Sequence, residues 1–199
     1  MKKSNLQLKK NDFQELRNRM VTEQIQARGI KNHAVLEAMK EVPRHAFVPA
    51  TQRDDSYKDE PLPIGYNQTI SQPYIVGLMT ECLDPQPNQI VLDIGTGSGY
   101  QAAVLAKLTK FVYSIEVIPE LAFSAKSTFQ KLKLKNICIK IANGYSGWPE
   151  KSPFDSILIA AAVNEIPKPL LEQLKIGKMI APIKENFLEN LGRVDISFS

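Results

Sequence analysis

IVLDIGTGSGYQ, residues Ile90–Gln101, is the stretch whose reading decides the fold. Ile90, Val91, Leu92 and Ile94 form a short apolar run, as expected of a strand buried on both faces of a parallel sheet. Asp93 interrupts the run near its end. Gly95, Gly97 and Gly99 then alternate with Thr96 and Ser98. Tyr100 to Leu108 takes up a helical pattern with Ala103, Val104 and Leu108 on one side. A strand, an acid, a glycine turn and a helix in that order predict a small-molecule site. The glycines allow a tight turn and a close backbone approach to a ligand, and the start of the helix offers free N–H groups.

The glycine spacing selects among ligands. A dinucleotide fingerprint reads G-x-G-x-x-G and rests a pyrophosphate on the helix N-terminus. Here the third glycine comes one residue early, and a carboxylate precedes the loop, where it suits a cationic ligand better than a diphosphate. S-adenosylmethionine, with its ammonium and sulfonium, fits that arrangement; an NAD-linked oxidoreductase fits it poorly. Phe111-Val112-Tyr113-Ser114-Ile115-Glu116 reads as the next strand. It ends in an acid about 20 residues beyond the loop, the place from which a carboxylate binds ribose hydroxyls.

The 199 residues suit one domain with a sizeable core. The expected division is 1–86 as N-terminal helices and an acceptor-side loop, and 87–199 as a nucleoside-binding core. The net charge of +4 is dispersed, apart from Lys2, Lys3, Lys9 and Lys10, which read as a solvated arm. Without an aromatic-and-basic stripe, a charge-driven nucleic-acid partner is disfavoured. Cys82 and Cys138 follow no metal or redox spacing and read as reduced core residues. No metal site is expected. The first residues lack an apolar signal core, and no apolar run nears membrane-spanning length, so the expectation is a cytoplasmic protein with no membrane partner.

Along the chain, Asn11 or Asp12 is expected to cap a helix carrying Phe13, Leu16, Met20 and Val21 that ends near Gly29. A short helix spans Ala34 to Lys40 and stops at Pro43. His33 and His45 read as structural or surface residues. Asp54 to Gln72 reads as a polar loop rich in Pro and Gly, followed by Pro73 at the favoured first position of a helix. Thr69, Ser71 and Gln72 therefore stand at a helix start that could hold an anion, although Ser71 or Gln72 could equally cap that helix. From Pro87 onward strands and helices alternate, the mark of a doubly wound parallel sheet. The expected elements are a helix from Glu120 to Leu134 with basic Lys126, Lys131 and Lys133, then strands Ile137–Ile141, Asp155–Ala160 and Lys178–Ile183. A further helix is expected from Pro167 to Leu174.

Taken together, MVTEQIQARGI, VLEAMKEVPRHAFVP, YKDEPLPIGYNQTISQPYIV, VLDIGTGSGYQAAVLAKL, VYSIE, GWPEKSPFD and IPKPLLEQLK resemble the protein-L-isoaspartate O-methyltransferases from about Met20 to Pro182. The block TISQPY beside GTGSGYQ carries the resemblance. It implies an α/β, Rossmann-like, doubly wound and mostly parallel sheet, the class I methyltransferase fold, with an N-terminal helical extension. It implies S-adenosyl-L-methionine as methyl donor, isoaspartyl-containing proteins and peptides as acceptors, protein repair as the outcome, and a monomer. By resemblance Ser71 is the active-site residue, and Thr69, Ile70 and Gln72 shape the acceptor pocket. Gly95, Thr96, Gly97, Ser98 and Gly99 cradle the donor, with Asp93 near its amino-acid end, directly or through a neighbour or water. Glu116 accepts from the ribose, and Asn143 and Gly144 stand by the adenine. An acceptor carboxylate is already nucleophilic at neutral pH, so positioning suffices and no general base is required.

The sequence departs from the family at three places. Ala142-Asn143-Gly144 replaces Gly-Asp-Gly, Gly65-Tyr66-Asn67 replaces Gly-x-Gly, and after Ile183 only KENFLENLGRVDISFS follows, with at most one strand from Arg193 to Phe198. The shortened C-terminal end and Asn143 motivate a second reading, a truncated or non-catalytic binder of isoaspartyl or nucleoside ligands. A methyltransferase with another small acceptor is a third.

Overall fold

A computed structural model describes residues 10–161, 163–183 and 193–195. At its centre lies a six-stranded sheet built from β3 (Ile90–Ile94), β4 (Phe111–Glu116), β5 (Ile137–Ile141), β6 (Phe154–Ile159), β7 (Leu174–Ile180) and β8 (Arg193–Asp195). The spatial order is β5-β4-β3-β6-β7-β8. The first five are parallel, and β8 pairs antiparallel with β7. The chain runs outward from β3 through β4 to β5, then returns to β6 on the other side of β3. That reversal opens a crevice beyond the C-terminal ends of β3 and β6, where ligands bind in sheets of this kind.

Side chains alternate between the two faces of the sheet. Val91, Val112, Leu158 and Ile180 join one apolar cluster with the N-terminal helices, α3 (Pro73–Leu83) and α4 (Tyr100–Leu108). Leu92, Ile94, Ile115, Ile157, Ile159 and Met179 join Trp148 and Leu170 on the opposite face. Consecutive apolar residues are needed because both faces are covered, which is why the strands read as continuous runs. β3 and α4 fall on the expected residues, and every residue of α4 except Lys107 is buried.

The N-terminal layer covers one face and departs from expectation in several details. α1 (Lys10–Arg19) already contains Asn11 and Asp12, so neither is its cap. It widens into a π turn at Met20–Ile25 and tightens through Gln26–Arg28 before stopping at left-handed Gly29. α2 (His33–Glu41) is capped by Asn32, whose side chain accepts from the Ala34 and Val35 N–H groups. The region read as a loop holds a hairpin, β1 (Leu62–Gly65) and β2 (Gln68–Ile70), turning through Tyr66 and Asn67 at φ 53° and 55°. Two left-handed residues give the twist that joins antiparallel strands closely. The expectation missed it because the strands are short and Pro63 breaks their alternation.

Other boundaries shift. α5 spans Pro119–Lys131, and α6 spans Lys168–Gln173. β7 begins directly at Leu174 rather than at Lys178. Gly177 is what lets β7 start early. It lies so close to the Asp155 carbonyl oxygen that no side chain fits, and the β6–β7 register shifts between Phe154 and Ser156. Of the expected terminal strand, Arg193–Asp195 pairs with β7; residues 196–198, and Lys2, Lys3 and Lys9 of the basic arm, lie outside the described residues. Among the described residues no helix is long and apolar enough to cross a membrane.

Candidate active site

Two cavities meet at the crevice. One, of about 270 Å³, is lined by Thr69, Ile70 and Ser71 from the hairpin side and by Gly95, Thr96, Gly97, Ser98 and Glu116 from the sheet side. The other, of about 380 Å³, is more apolar, with Ile94, Ile115, Ile159 and Leu170 beside Asn143 and Gly144. Gly95, Glu116, Val117 and Ala161 line both, so the two form one elongated cleft. Each is near the small end of ligand-site volumes, and joined they suit a ligand with one polar and one flat apolar end.

The glycine loop is tied to the strand beside it. Gly95 and Thr96 donate their N–H groups to the Ile115 carbonyl at 2.9 and 3.1 Å. Gly97 N–H donates to Glu116 Oε2 at 2.7 Å, while Val117 and Ile118 N–H groups both donate to Oε1 at 2.9 Å. Three backbone donors hold the carboxylate at the junction of the cavities. Oε2 accepts only one of them and keeps a lone pair for a further donor. Ser98 lines the polar cavity, and its hydroxyl also accepts from Tyr100 N–H at 3.2 Å, just ahead of the Gly99 cap of α4.

Asp93 does not reach the cleft. It is fully buried, and the β3–β4 register sets it opposite Ser114. Ser114 Oγ donates to Asp93 Oδ2 at 2.7 Å and lies 2.6 Å from the Oγ1 of Thr96, a residue that lines the cleft. Among the described residues Oδ1 has no hydrogen-bond partner. Burial pushes the Asp93 carboxyl up to about 7; the Ser114 hydrogen bond opposes this, and nearby Glu116 adds to it. Of the routes open to Asp93 in the sequence, directly or through a neighbour or water, its burial speaks against the direct one, and Ser114 and Thr96 stand where a neighbour would. Gly99 also departs from expectation. It does not line the cleft, and a Cβ on it would lie 2.7 Å from Phe129 Cζ with φ at 90°. Its role is the close packing of α4 on α5.

At the apolar end, Asn143 Oδ1 accepts from Tyr145 N–H at 2.9 Å and begins a tight turn through Gly144. One acceptor lone pair of the amide carbonyl is thereby used within the turn. Gln173 of α6 holds the far side of that turn. Its Oε1 accepts from Trp148 N–H at 2.7 Å, and its Nε2 donates to the Ser146 carbonyl at 2.9 Å.

The acceptor end is organised by a residue that sequence reasoning missed. Asp59 Oδ1 accepts from Tyr74 N–H at 3.3 Å, and Oδ2 accepts from Gln72 Nε2 at 2.8 Å and pairs with Arg28 Nη1 at 2.5 Å. The cap of α3 is thus a carboxylate from 15 residues upstream. Neither Ser71 nor Gln72 fills that role, and Gln72 makes no side-chain cap bond. The anion position expected at this helix start is taken by Asp59. Gln72 braces the loop from outside the cleft. Ser71, Thr69 and Ile70 line it, and among the described residues no hydrogen bond engages the Ser71 hydroxyl. Gln101, also in the lining, donates to Thr80 Oγ1 at 2.9 Å and so fixes α4 against α3. The histidines lie off the cleft. His45 stacks on Phe13 at 4.2 Å and its Nδ1 sits 2.7 Å from the Tyr57 hydroxyl, while His33 is exposed beside Glu37.

Ser114 carried a sequence signal, since it is a hydroxyl in a buried strand two residues before Glu116. Asp59 carried none, because its partners are remote in the chain.

Comparison with known proteins agrees with this geometry. Residues 15–197 match the family model for protein-L-isoaspartate(D-aspartate) O-methyltransferase. The chain is 50% identical over 185 residues to protein-L-isoaspartate O-methyltransferase 1 of Syntrophobacter fumaroxidans, covering 92% of this chain and 86% of that one. It is 51% identical over 183 residues to the corresponding enzyme of Syntrophus aciditrophicus, covering 92% and 84%. The crystal structure of a Plasmodium falciparum beta-aspartate methyltransferase with S-adenosyl-L-homocysteine superimposes with a TM-score of 0.73 at 26% identity, covering 86% of this chain and 85% of that one. With a family match over nearly its whole length and relatives about 50% identical over nine-tenths of it, the chain belongs to the protein-L-isoaspartate(D-aspartate) O-methyltransferase family and, with it, to the S-adenosylmethionine-dependent methyltransferases.

Proposed function

We propose that this chain transfers a methyl group from S-adenosyl-L-methionine to the free carboxylate of L-isoaspartyl and D-aspartyl residues in damaged proteins and peptides, as a repair reaction. One observation carries the reading: the unengaged Ser71 hydroxyl shares a cavity with Gly95, Thr96 and Glu116. The cleft suits the donor. Its apolar end admits an adenine beside Asn143 and Gly144, and the spare lone pair of Glu116 Oε2 accepts from the ribose at the junction. The polar end is left for the amino-acid portion.

When bound, the donor supplies an electrophilic methyl carbon on a sulfonium. The carboxylate oxygen attacks it, the carbon–sulfur bond breaks to leave a neutral thioether, and no proton moves. The protein's task is therefore to align two reactants and exclude water, for which positioned groups contribute most of the acceleration. Ser71 holds the acceptor carboxylate by donating its hydroxyl proton, and Thr69 and Ile70 form the wall against which the acceptor lies. Gln72 acts from behind, through Asp59.

The N-terminal helices and one face of the sheet share one apolar cluster, which supports a single domain over 1–199. Cys138, a free thiol, suits a reducing compartment such as the cytoplasm. Action as a monomer completes the reading. The alternative of a non-catalytic binder is not favoured, because the family match runs to residue 197, across the stretch that motivated it.

The test incubates the protein with methyl-labelled donor and an isoaspartyl peptide beside its aspartyl twin. Label is expected on the isoaspartyl peptide alone, and a Ser71→Ala variant should lose most of that label while still binding S-adenosyl-L-homocysteine. Equal label on both peptides, or none on either, would refute the proposal.

A further inference from the structure

We infer that Ser114 is a positioning residue that fixes the polarity of the Thr96 hydroxyl, so that the buried Asp93 acts on the ammonium end of the donor without touching it. The inference rests on the donor assignment above and goes beyond it, since it assigns a role to a residue that does not line the cleft.

The argument follows the protons. Above the value of about 7 to which burial pushes Asp93, its carboxylate is ionised and only accepts hydrogen bonds, so the single proton of Ser114 is directed to Oδ2, 2.7 Å away. Ser114 Oγ then has only lone pairs to offer Thr96 Oγ1 at 2.6 Å, so Thr96 must donate to Ser114. With its proton committed inward, Thr96 has only lone pairs left for the cleft that it lines. An ammonium is a donor with no acceptor capacity, and therefore matches that surface. A carboxylate or phosphate at the same place would meet lone pairs and be repelled. Asp93 and Ser114 are fully buried and Thr96 is 4% exposed, so water does not compete for the two inner members and meets the chain only at Thr96, on the cleft.

The placement of the ammonium follows from the shape of the cleft. Ile94, Ile115, Ile159 and Leu170 make the far cavity apolar, and Glu116 stands between the cavities. A nucleoside laid along that axis leaves its amino-acid tail in the compartment of Thr96. Removing the Ser114 hydroxyl frees the Thr96 proton to turn into the cleft, where it opposes a cationic group.

The experiment measures binding of two ligands, at a pH above the value of about 7 to which burial pushes Asp93. S-adenosyl-L-homocysteine carries the amino-acid tail; methylthioadenosine has the same nucleoside without it. Ser114→Ala is expected to weaken the first roughly tenfold, the size of a lost charge-assisted hydrogen bond, and to leave the second within about twofold. Ser114→Thr, which keeps the hydroxyl, is expected to restore the first. Thr96→Val, which keeps the shape without the hydroxyl, should reproduce the selective loss if Ser114→Ala does not fold. Equal weakening of both ligands would mark Ser114 as merely structural and overturn the inference, as would no weakening of either. Failure of the wild-type protein to bind S-adenosyl-L-homocysteine is a distinct result, which overturns the donor assignment and the relay with it.

Discussion

On the donor wall of the cleft, Glu116 takes N–H groups from Val117 and Ile118 next to it and from Gly97 on the adjacent strand's loop, and Asp93 meets Ser114 directly across one strand pair. On the acceptor wall, Asp59 caps a helix 15 residues away and pairs with Arg28, 31 residues away, while Glu81 Oε1 accepts from Lys31 and Asn32 N–H groups about 50 residues back. The donor wall is made by strands that must pair for the sheet to exist, so its polar contacts arise with the fold. The acceptor wall is clipped together by side chains from separate segments. One carboxylate there does several jobs, and losing it disturbs the acceptor side alone. Two titratable groups also respond oppositely to acid, Asp93 behind the donor wall and His45 in the N-terminal layer off the cleft. Asp93 retains a proton in the native state that the unfolded chain releases above its ordinary value of 3.8, so its contribution to stability declines as pH rises toward about 7. His45, held near 4 chiefly by burial, does the reverse.

The largest effect expected from this contrast is at Gly99. Gly99→Ala forces a side chain onto Phe129 and strains a left-handed backbone, so unfolding free energy should fall by about 2–3 kcal/mol in a denaturant titration. The donor KM, measured at low temperature on the folded protein, should change little. A collapse of donor affinity with unchanged stability would restore Gly99 to the ligand cradle. Next in size is Asp59→Ala. Loss of a helix cap costs about 1 kcal/mol, and the acceptor KM should rise several-fold while the donor KM stays put. Parallel changes in both would show that the two walls are not independent. The smallest effect concerns His45. Because its native pKa lies below the ordinary 6.5, the unfolded chain takes up the proton first, and stability should fall as pH drops from about 6.5 to about 4. His45→Phe, which can still stack on Phe13, should flatten that limb of a melting-temperature profile, and an unchanged slope would remove His45 as its origin.

The contrast also explains how much could be read beforehand. β3, α4, β4 and β5 fall on the expected residues, and Gly95, Thr96, Gly97 and Glu116 come together at one cleft. Their periodicity is local, and parallel pairing leaves few arrangements open. The hairpin at Leu62–Ile70 was read as loop because its strands are too short to show a period. Gly99 was placed in the cradle because sequence spacing says nothing about which neighbour a missing Cβ would meet. Asp93 was expected near the donor's amino-acid end, directly or through a neighbour or water, and only the strand register shows that Ser114 and Thr96 stand between it and the cleft.

By itself the sequence determined the order of strands and helices from Pro87 onward, the glycine turn with its two acids, and the nucleoside chemistry that follows from them, because each is written in residues near one another in the chain. Only the tertiary structure decided that Asp59 and not Ser71 caps α3, leaving the serine hydroxyl unengaged, and that two hydroxyls stand between Asp93 and the cleft. Those outcomes depend on which distant groups compete for the same hydrogen bond, and that competition is settled only when the segments are packed together.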